Sequence, residues 1–193
     1  MSHTMTQKPR VYAFTTLAGL LTLLLLFALS PWSPYQQIPR DLVSRPRNPC
    51  GTSPSEARRL GCQFDPMEYS WLPPPCYDAE LTEDYLRMLE RRTLNFYAKP
   101  NNDSLSNIVP LSEILAGDHH TVYMNWYQHR QHCAYMFRKL HRAIIAGRPI
   151  DGYIWEYKHT HHCLVILSDT SMAPDLLETL TMMKYPDCEP RHT

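Results

Sequence analysis

The stretch from Asn125 to Cys163 contains the same short pattern twice, as HRQHC at His129–Cys133 and as HTHHC at His159–Cys163. Both copies read H-x-x-H-C, and their first histidines lie 30 residues apart. Imidazole nitrogen and thiolate sulfur are ligands that zinc and copper accept in proteins. The doubled motif therefore predicts a metal site, and the rest of the chain has to indicate the compartment, the metal and the chemistry.

The first copy lies in a segment with clear helix signals. Asn125 is a favourable N-cap, Gln128 follows three residues later, and Gly147-Arg148-Pro149 ends the helix. At 3.6 residues per turn, His129, His132 and Cys133 fall within about 100° of one another. This face is also apolar, and a single H-x-x-H in such a place is more often a pair of core or interface histidines than a pair of metal ligands.

The second copy favours the metal interpretation. The aromatic segment 153–157 is β-prone, and residues 159–167 can form a second short helix that places His159, His162 and Cys163 on one face. Two packed helices would bring His129, His132, His159 and His162 together. His119, His120, His141 and His161 are possible additional ligands.

The two motif cysteines leave two possibilities for the metal. If Cys133 and Cys163 were both thiolate ligands, zinc would be favoured. In an oxidising compartment a disulfide between them is expected instead, and it would brace the two helices and leave an all-nitrogen site. Such a site suits copper and oxygen chemistry at least as well as structural zinc.

Composition sets the class of protein. The chain has 193 residues and a mass of 22.6 kDa, which is enough for one globular domain and an appendage. It carries 19 basic and 19 acidic residues. This balance gives no indication of nucleic-acid binding or of an anionic membrane surface.

The N-terminal part predicts a membrane anchor. Residues 1–10 would be a short cytosolic tail, and 11–30 a signal-anchor helix, because 11–29 carry no charge and would be roughly 28 Å long. A cleaved signal peptide is the alternative, with an apolar core usually shorter than this one. Residues 31–49 contain five prolines and predict a stalk, and 50–193 would form a lumenal domain.

Cysteine usage supports the lumenal side. All six cysteines follow the apolar run, which suits an oxidising compartment, and Asn102 begins a glycosylation sequon. Structural roles are expected for all six, and Cys188 should pair with one of the early cysteines; the set is Cys50, Cys62, Cys76, Cys133, Cys163 and Cys188.

The expected fold is mainly α, a small α or α+β domain behind one transmembrane helix. Ser53, Pro54 and Glu56 predict a helix start, and a longer helix should run from Asp78 or Thr82 to about Ala98. Residues 64–76 should form an aromatic loop that wraps the domain. A short helix is expected around 174–183.

These features resemble the UstYa-like family of fungal membrane-anchored oxidases from secondary-metabolite (mycotoxin) biosynthesis clusters. In that family the first motif usually continues as H-C-L-x-x-L-R, and Arg138 stands in place here. In the second motif Leu164 and Leu167 match, whereas Ser168 stands where arginine is common. The block 50–81, with CGTSPSEA and WLPPPCYDAEL, also looks like a subset of such membrane proteins.

The resemblance implies an oxidoreductase that acts on a peptide or other small metabolite by oxidative cyclisation or hydroxylation. It implies copper as the cofactor, with zinc as the alternative, and dioxygen as co-substrate. His129, His132, His159 and His162 would then be the metal-binding and catalytic residues, and the motif cysteines would be structural or secondary ligands. Other enzymes of the same cluster, or a family paralogue, are the implied partners.

Two further functions remain open from the residues alone. One is a lumenal scaffold module, braced by a structural metal or a disulfide, that turns nothing over. The other is a hydrolase that uses histidine with aspartate or glutamate, which ranks last because the chain has no G-x-S-x-G nucleophile motif.

Overall fold

The structure is a computed structural model that describes residues 48–191. The predicted tail, the anchor and nearly all of the stalk lie outside the described residues. Within 48–191, no helix has both the length and the apolar character needed to cross a membrane.

The described chain contains helices of four to 20 residues and strands of two to four residues. The helices are α1 Pro54–Arg59, α2 Ala79–Arg92, α3 Leu111–Ala116, α4 Trp126–Ile145, α5 Gly152–Trp155 and α6 Tyr157–Ser168. The strands are β1 Gln63–Asp65, β2 Ser70–Leu72, β3 Phe96–Tyr97, β4 Ile108–Val109, β5 Thr121–Met124, β6 Ile150–Asp151, β7 Thr179–Met182 and β8 Cys188–Glu189. Two 3₁₀ turns, Pro74–Cys76 and Leu105–Asn107, complete the described elements.

The strands form three antiparallel sheets. β1 pairs with β2, β6 pairs with β8, and a four-stranded sheet has the order β4-β3-β5-β7. The fold is therefore mixed α+β, and the expectation of a mainly α domain is confirmed only in part. Several of these strands have only two to four residues, which is too short for an alternating pattern to be visible in the sequence.

Disulfides close both ends of the domain. Cys50 is bonded to Cys62 across α1, and Cys76 is bonded to Cys188 across a separation of 112 residues. The predicted pairing of Cys188 with an early cysteine is thus confirmed. At the start of α1, the Ser53 hydroxyl accepts from the backbone N–H of Glu56, as its capping position predicts.

Helix α2 ends earlier than its sequence pattern predicts. Its buried side chains include Leu81, Tyr85 and Leu89, but Thr93 adopts a left-handed conformation with φ of 53° and stops the helix. The chain turns there because Phe96 is required in strand β3, where it pairs with Val109 and lies in the core. The predicted continuation of the helix to Ala98 is wrong.

Three other segments also differ from the predictions. Residues 64–76 contain a hairpin of β1 and β2 rather than only a loop, although its aromatic residues are buried as expected. The segment 153–157, predicted to be β-prone, forms α5 and the start of α6. The C-terminal helix predicted at 174–183 is replaced by strand β7, which gains its hydrogen bonds from β5.

Gly117 is a position where only glycine fits. Its φ of +67° follows the end of α3, and a Cβ there would lie 2.8 Å from the rings of Phe64 and Trp71. The close approach lets the hairpin pack under α3, since the Trp71 indole donates to the Gly117 carbonyl over 3.2 Å.

Helix α4 organises the domain as its capping and periodicity predicted. The Asn125 side chain accepts from the Gln128 backbone N–H over 2.8 Å, and the buried face continues from His132 through Met136 to Lys139. Helix α6 packs directly against α4, which brings the two H-x-x-H-C motifs face to face.

Candidate metal centre

The two motifs occupy adjacent helices, as the sequence predicted. His129, His132 and Cys133 lie on α4, and His159, His162 and Cys163 lie on α6. Arg130 of α4 donates to the Leu167 carbonyl at the end of α6 over 3.2 Å, which helps to fix the helix pair. The loop after α6 also accepts from the first turn of α4, through the Tyr127 N–H and the Pro174 carbonyl at 2.8 Å.

The four motif histidines form a closed ring of neighbours. Ring centroids are 6.0 Å apart for His129 and His132, 5.9 Å for His132 and His159, 6.4 Å for His159 and His162, and 5.3 Å for His162 and His129. The prediction that two helices gather four imidazoles therefore agrees with the structure.

The four histidines and the two motif cysteines form two groups of three donors each. The open group is His129, Cys133 and His162, and the buried group is His132, His159 and Cys163. Within each group the donor atoms all lie within 4.8 Å of one another. Each group takes the first histidine and the cysteine of one motif and the second histidine of the other, so neither motif builds a group by itself.

Cys133 and Cys163 are free thiols in the structure, and both are buried. The expected disulfide between them is not formed, and the all-nitrogen site that would follow from it is not what the structure presents. The two side chains share a hydrogen bond, which raises the pKa of Cys133 and lowers the pKa of Cys163. The Cys133 thiol therefore stabilises the negative charge of the Cys163 thiolate. The sulfur atoms are thus potential ligands rather than a brace.

Hydrogen bonds to the outer ring nitrogens orient two of the imidazoles. His132 donates its Nδ1–H to the Met67 carbonyl over 2.7 Å, which leaves the Nε2 lone pair directed into the site. The Nδ1 of His129 lies 3.4 Å from the Thr179 hydroxyl and can be held in the same tautomer. This is the arrangement in which histidine binds a metal through Nε2.

A buried cluster of charged side chains holds in place the loop that carries the Met67 carbonyl. Asp65 accepts from the Met67 N–H over 2.9 Å, and Lys139 lies 3.2 Å from Asp65 and from Asp151 and contacts Glu68 as well. Although burial disfavours its charge, Lys139 faces three carboxylates that hold its pKa well above the usual value. The cluster fixes the loop between β1 and β2 and therefore the ring of His132.

Two histidines of the site, His129 and His132, are held in the neutral form. Burial, with repulsion from His162 and His159, lowers the pKa of His129 to about 4, and burial is also the main cause that holds the pKa of His132 well below its usual value. A neutral imidazole carries the lone pair that a metal needs. The burial of the site thus prepares it for a cation rather than for protons.

Donor spacing provides a direct test of fit. With metal–nitrogen bonds of about 2.0–2.1 Å and a metal–sulfur bond of about 2.3 Å, tetrahedral geometry puts two nitrogens about 3.3 Å apart and nitrogen about 3.6 Å from sulfur. The Nε2 atoms of His129 and His162 are 3.2 Å apart, and His159 Nε2 lies 3.6 Å from Cys163 Sγ. Both pairs have the spacing that a tetrahedral zinc or copper ion requires.

The other histidines considered from the sequence lie outside both groups. His119 pairs with Glu113 at the surface over 3.0 Å, and His161 stacks on Tyr157 with their rings 6.3 Å apart. His120 and His141 are exposed and belong to neither donor group of the described residues. The motif positions therefore supply all six donors.

Sequence reasoning missed the residues that support the ligands. Tyr153 packs its ring on His159 with centroids 4.1 Å apart, and Trp126 meets the ring of His129 edge-on at 5.6 Å. Both lie outside the H-x-x-H-C motifs, so the motif pattern gives no signal for them. Met67 acts through its backbone carbonyl, so its side-chain type carries no signal that could have revealed it.

A small disulfide-bonded α+β domain with two groups of two histidines and one cysteine defines a candidate metalloprotein. The chain is similar to the phomopsin biosynthesis cluster proteins B and B′ of Diaporthe leptostromiformis, at 25% identity over 131 residues in each comparison. The match covers 66% of this chain and 38% of each relative, so the chain spans well under half of their length. No protein-family model and no solved structure matches the chain.

Proposed function

We propose that this protein is a metal-dependent oxidoreductase of fungal secondary-metabolite biosynthesis, with copper as its metal and dioxygen as its co-substrate. The observation that carries the proposal is the division of six motif side chains into two three-donor groups, each with one donor pair at tetrahedral spacing. The similarity to biosynthesis-cluster proteins and the resemblance of the doubled motif to UstYa-like oxidases support the biological setting.

The donor set supports copper over harder metals. Two imidazoles and one thiolate are soft to borderline ligands, a combination found in copper centres as well as in zinc sites, whereas magnesium and calcium require oxygen ligands. Three protein donors per ion also leave a coordination position open, which distinguishes catalytic from closed structural sites. Bound copper would supply one-electron redox steps and reactivity toward dioxygen.

The two groups would contribute differently to the reaction. His162 is exposed and His129 is partly exposed, so the open group offers a bound ion access to solvent and dioxygen. His132, His159 and Cys163 are all buried, so the second ion would exchange electrons without direct contact with bulk water. The short separation of the two groups would let both ions serve one substrate.

The proposed location is the secretory pathway, with residues 11–30 as a single anchor and the domain on the lumenal side. Two disulfides among the described residues support an oxidising compartment. Asn102 is exposed in a turn, where a glycan could be attached, and its glycosylation stays a prediction.

The proposal is tested by loading the full-length chain with copper and measuring metal content, the visible spectrum and oxygen uptake. Copper bound to thiolate should give an intense visible absorption band, and addition of a metabolite extract from the producing fungus should start oxygen consumption. His129→Ala combined with His162→Ala should abolish oxygen consumption. His161→Ala is the matched control, because His161 is the exposed neighbour of His162 on the same helix, and it should behave as the unmodified chain.

Two outcomes would contradict the oxidase proposal. One is a chain that retains only redox-silent zinc and consumes no oxygen, which would favour the scaffold module. The other is metal content that does not change in the double variant, since the motif histidines would then not be the ligands.

A further inference from the structure

A cleft lined by residues of the α5 turn and the C-terminal segment lies beside the buried donor group. Its volume is about 700 Å³, and it opens between the α5 turn and the C-terminal segment 183–187. A volume in this range suits a small-molecule ligand. The residues that matter for its chemistry are Tyr153, Trp155, Lys184, Tyr185, Asp187 and Arg191.

Tyr153 is the wall that the cleft shares with the metal centre. It lines the cleft, and its ring also packs on His159 of the buried group at a centroid distance of 4.1 Å. The Lys184 ammonium also lies over this ring at 4.5 Å. A group bound beside Lys184 at this wall would therefore meet the uncovered part of Tyr153, which separates it from a ligand histidine.

The charged groups of the cleft are largely occupied by partners within the protein. Arg191 donates to both oxygens of Asp187, at 3.0 and 2.9 Å, and also pairs with Glu189. Lys184 donates to the carbonyls of Glu68 and Met182, each over 2.9 Å, and lies over the Tyr153 ring. A charged ligand would have to compete with these pairs, and an anion would also be repelled by Glu156, which lines the cleft as well. The cleft therefore favours a neutral ligand.

The remaining surface of the cleft is aromatic. Trp155 lines it while 41% of its surface is exposed, and Tyr185 and Met183 add apolar area nearby. The Arg191 guanidinium lies over the Trp155 ring at 5.9 Å. The exposed part of the indole, beside a tyrosine, offers stacking and edge contacts that an aromatic ring satisfies better than a saturated one.

We propose that this cleft binds a neutral aromatic group and is the substrate-binding site of the metal centre. The assignment as a substrate site rests on the proposed oxidase function, whereas the binding preference stands on the cleft itself. Trp155 is the surface on which the bound ring packs. Tyr153 lies between that ring and His159.

The test uses p-cresol as the probe, with saturation-transfer NMR on the full-length chain. A ring of this size should bind with a dissociation constant of about 1 mM. Its saturated analogue 4-methylcyclohexanol and the charged benzoate should each bind at least about five-fold more weakly. Trp155→Leu should weaken p-cresol binding by a similar factor, and Tyr185→Leu gives a second test should Trp155→Leu unfold.

The matched control is Tyr157→Leu, because Tyr157 is 77% exposed, lies two residues from Trp155 and does not line the cleft. It should leave p-cresol binding unchanged. Copper-loaded protein should broaden the p-cresol ring signals relative to zinc-loaded protein, since the unpaired electron of copper(II) would lie one aromatic ring away.

The outcomes separate the two proposals. Binding of p-cresol that depends on Trp155 in a chain that holds no metal would support the binding preference and remove the oxidase assignment. Equal affinity for p-cresol and 4-methylcyclohexanol, binding that Trp155→Leu and Tyr185→Leu leave intact, or copper that causes no broadening would overturn the proposed substrate site.

Discussion

The open and buried donor groups are built from the same sequence pattern but lie in different surroundings. Each combines the first histidine and the cysteine of one motif with the second histidine of the other, so the pairing is symmetric between the two helices. The open group nevertheless reaches the surface at His162, whereas every member of the buried group is covered. The same H-x-x-H-C pattern thus gives two donor groups that differ in their exposure to solvent.

The difference arises from what packs on each helix from outside the motifs. The loop between β1 and β2 covers His132 through the Met67 carbonyl, and Tyr153 covers His159. On the other side the edge strand β7 approaches, where Thr179 lies 3.4 Å from His129, and the Trp126 ring meets His129 edge-on. Accessibility is therefore decided by distant segments of the chain.

Removal of the buried cation beneath the buried group should have the largest effect. Lys139→Met would leave Asp65, Glu68 and Asp151 without their shared counter-ion, and we expect the free energy of unfolding to fall by about 3–5 kcal/mol. Urea denaturation of the metal-free chain measures the loss. The surviving folded fraction should lose affinity for metal at the buried group first, because the loop that carries Met67 is no longer fixed.

Arg138→Met provides the matched control for this prediction. Arg138 precedes Lys139 and pairs with Asp84 over 3.0 Å, but its side chain is 51% exposed. An exposed pair contributes at most about 1 kcal/mol. If Lys139→Met cost no more than Arg138→Met, the buried cluster would not stabilise the fold.

A smaller contrast should appear between the histidines of α6. His159→Ala removes a buried ring packed on Tyr153 and should cost about 2–4 kcal/mol in the metal-free chain. His162→Ala changes an exposed side chain and should cost less than about 1 kcal/mol. Thermal unfolding without metal compares them, and similar losses would show that the two groups do not differ in burial as described.

A further expected effect is a pH dependence that originates from Asp151. Burial, with repulsion from Glu68, raises the pKa of Asp151 to about 6, above the value near 3.9 of an unfolded chain. The folded state therefore keeps the Asp151 proton to a higher pH than the unfolded state does. The stability that this proton contributes falls as the pH rises from about 4 to about 6.

Asp151→Asn should remove this dependence of stability on pH. The Asp151 side chain accepts a hydrogen bond from the Ile154 backbone N–H over 3.0 Å, and the asparagine oxygen should keep it. The measurement is the difference in unfolding free energy between the chain and its variant at pH 4, 5 and 6. Asp175→Asn, at an exposed site, serves as the control. Parallel curves for Asp151→Asn and the unmodified chain would contradict the raised pKa.

Part of this architecture could be predicted from the sequence because its signals are local. The cap at Asn125, the glycine after the helix and the 3.6-residue period located α4, and the doubled motif located the six donors. Local signals failed where a partner segment decides the conformation: Phe96 belongs to a two-residue strand, and Thr179–Met182 becomes a strand only by pairing with β5.

The site was predicted in its members but not in its arrangement. Sequence spacing places His129 and His132 on one face, yet it does not show that His132 joins His159 rather than His129. The disulfide between Cys133 and Cys163 was expected because the predicted compartment is oxidising. That argument does not take into account that each thiol lies beside two histidines. The distinction between an open and a buried group depends on Met67 and Tyr153, which no motif contains.

Native mass spectrometry of metal-loaded protein tests the central claim most directly, because it counts the ions held by each chain. The full-length chain should bind two ions, His162→Ala and His159→Ala should each bind one, and the variant that combines His159→Ala with His162→Ala should bind none. His161→Ala should still bind two. A single ion in the unmodified chain, lost with either substitution, would instead indicate one shared four-histidine site and would contradict the division into an open and a buried group.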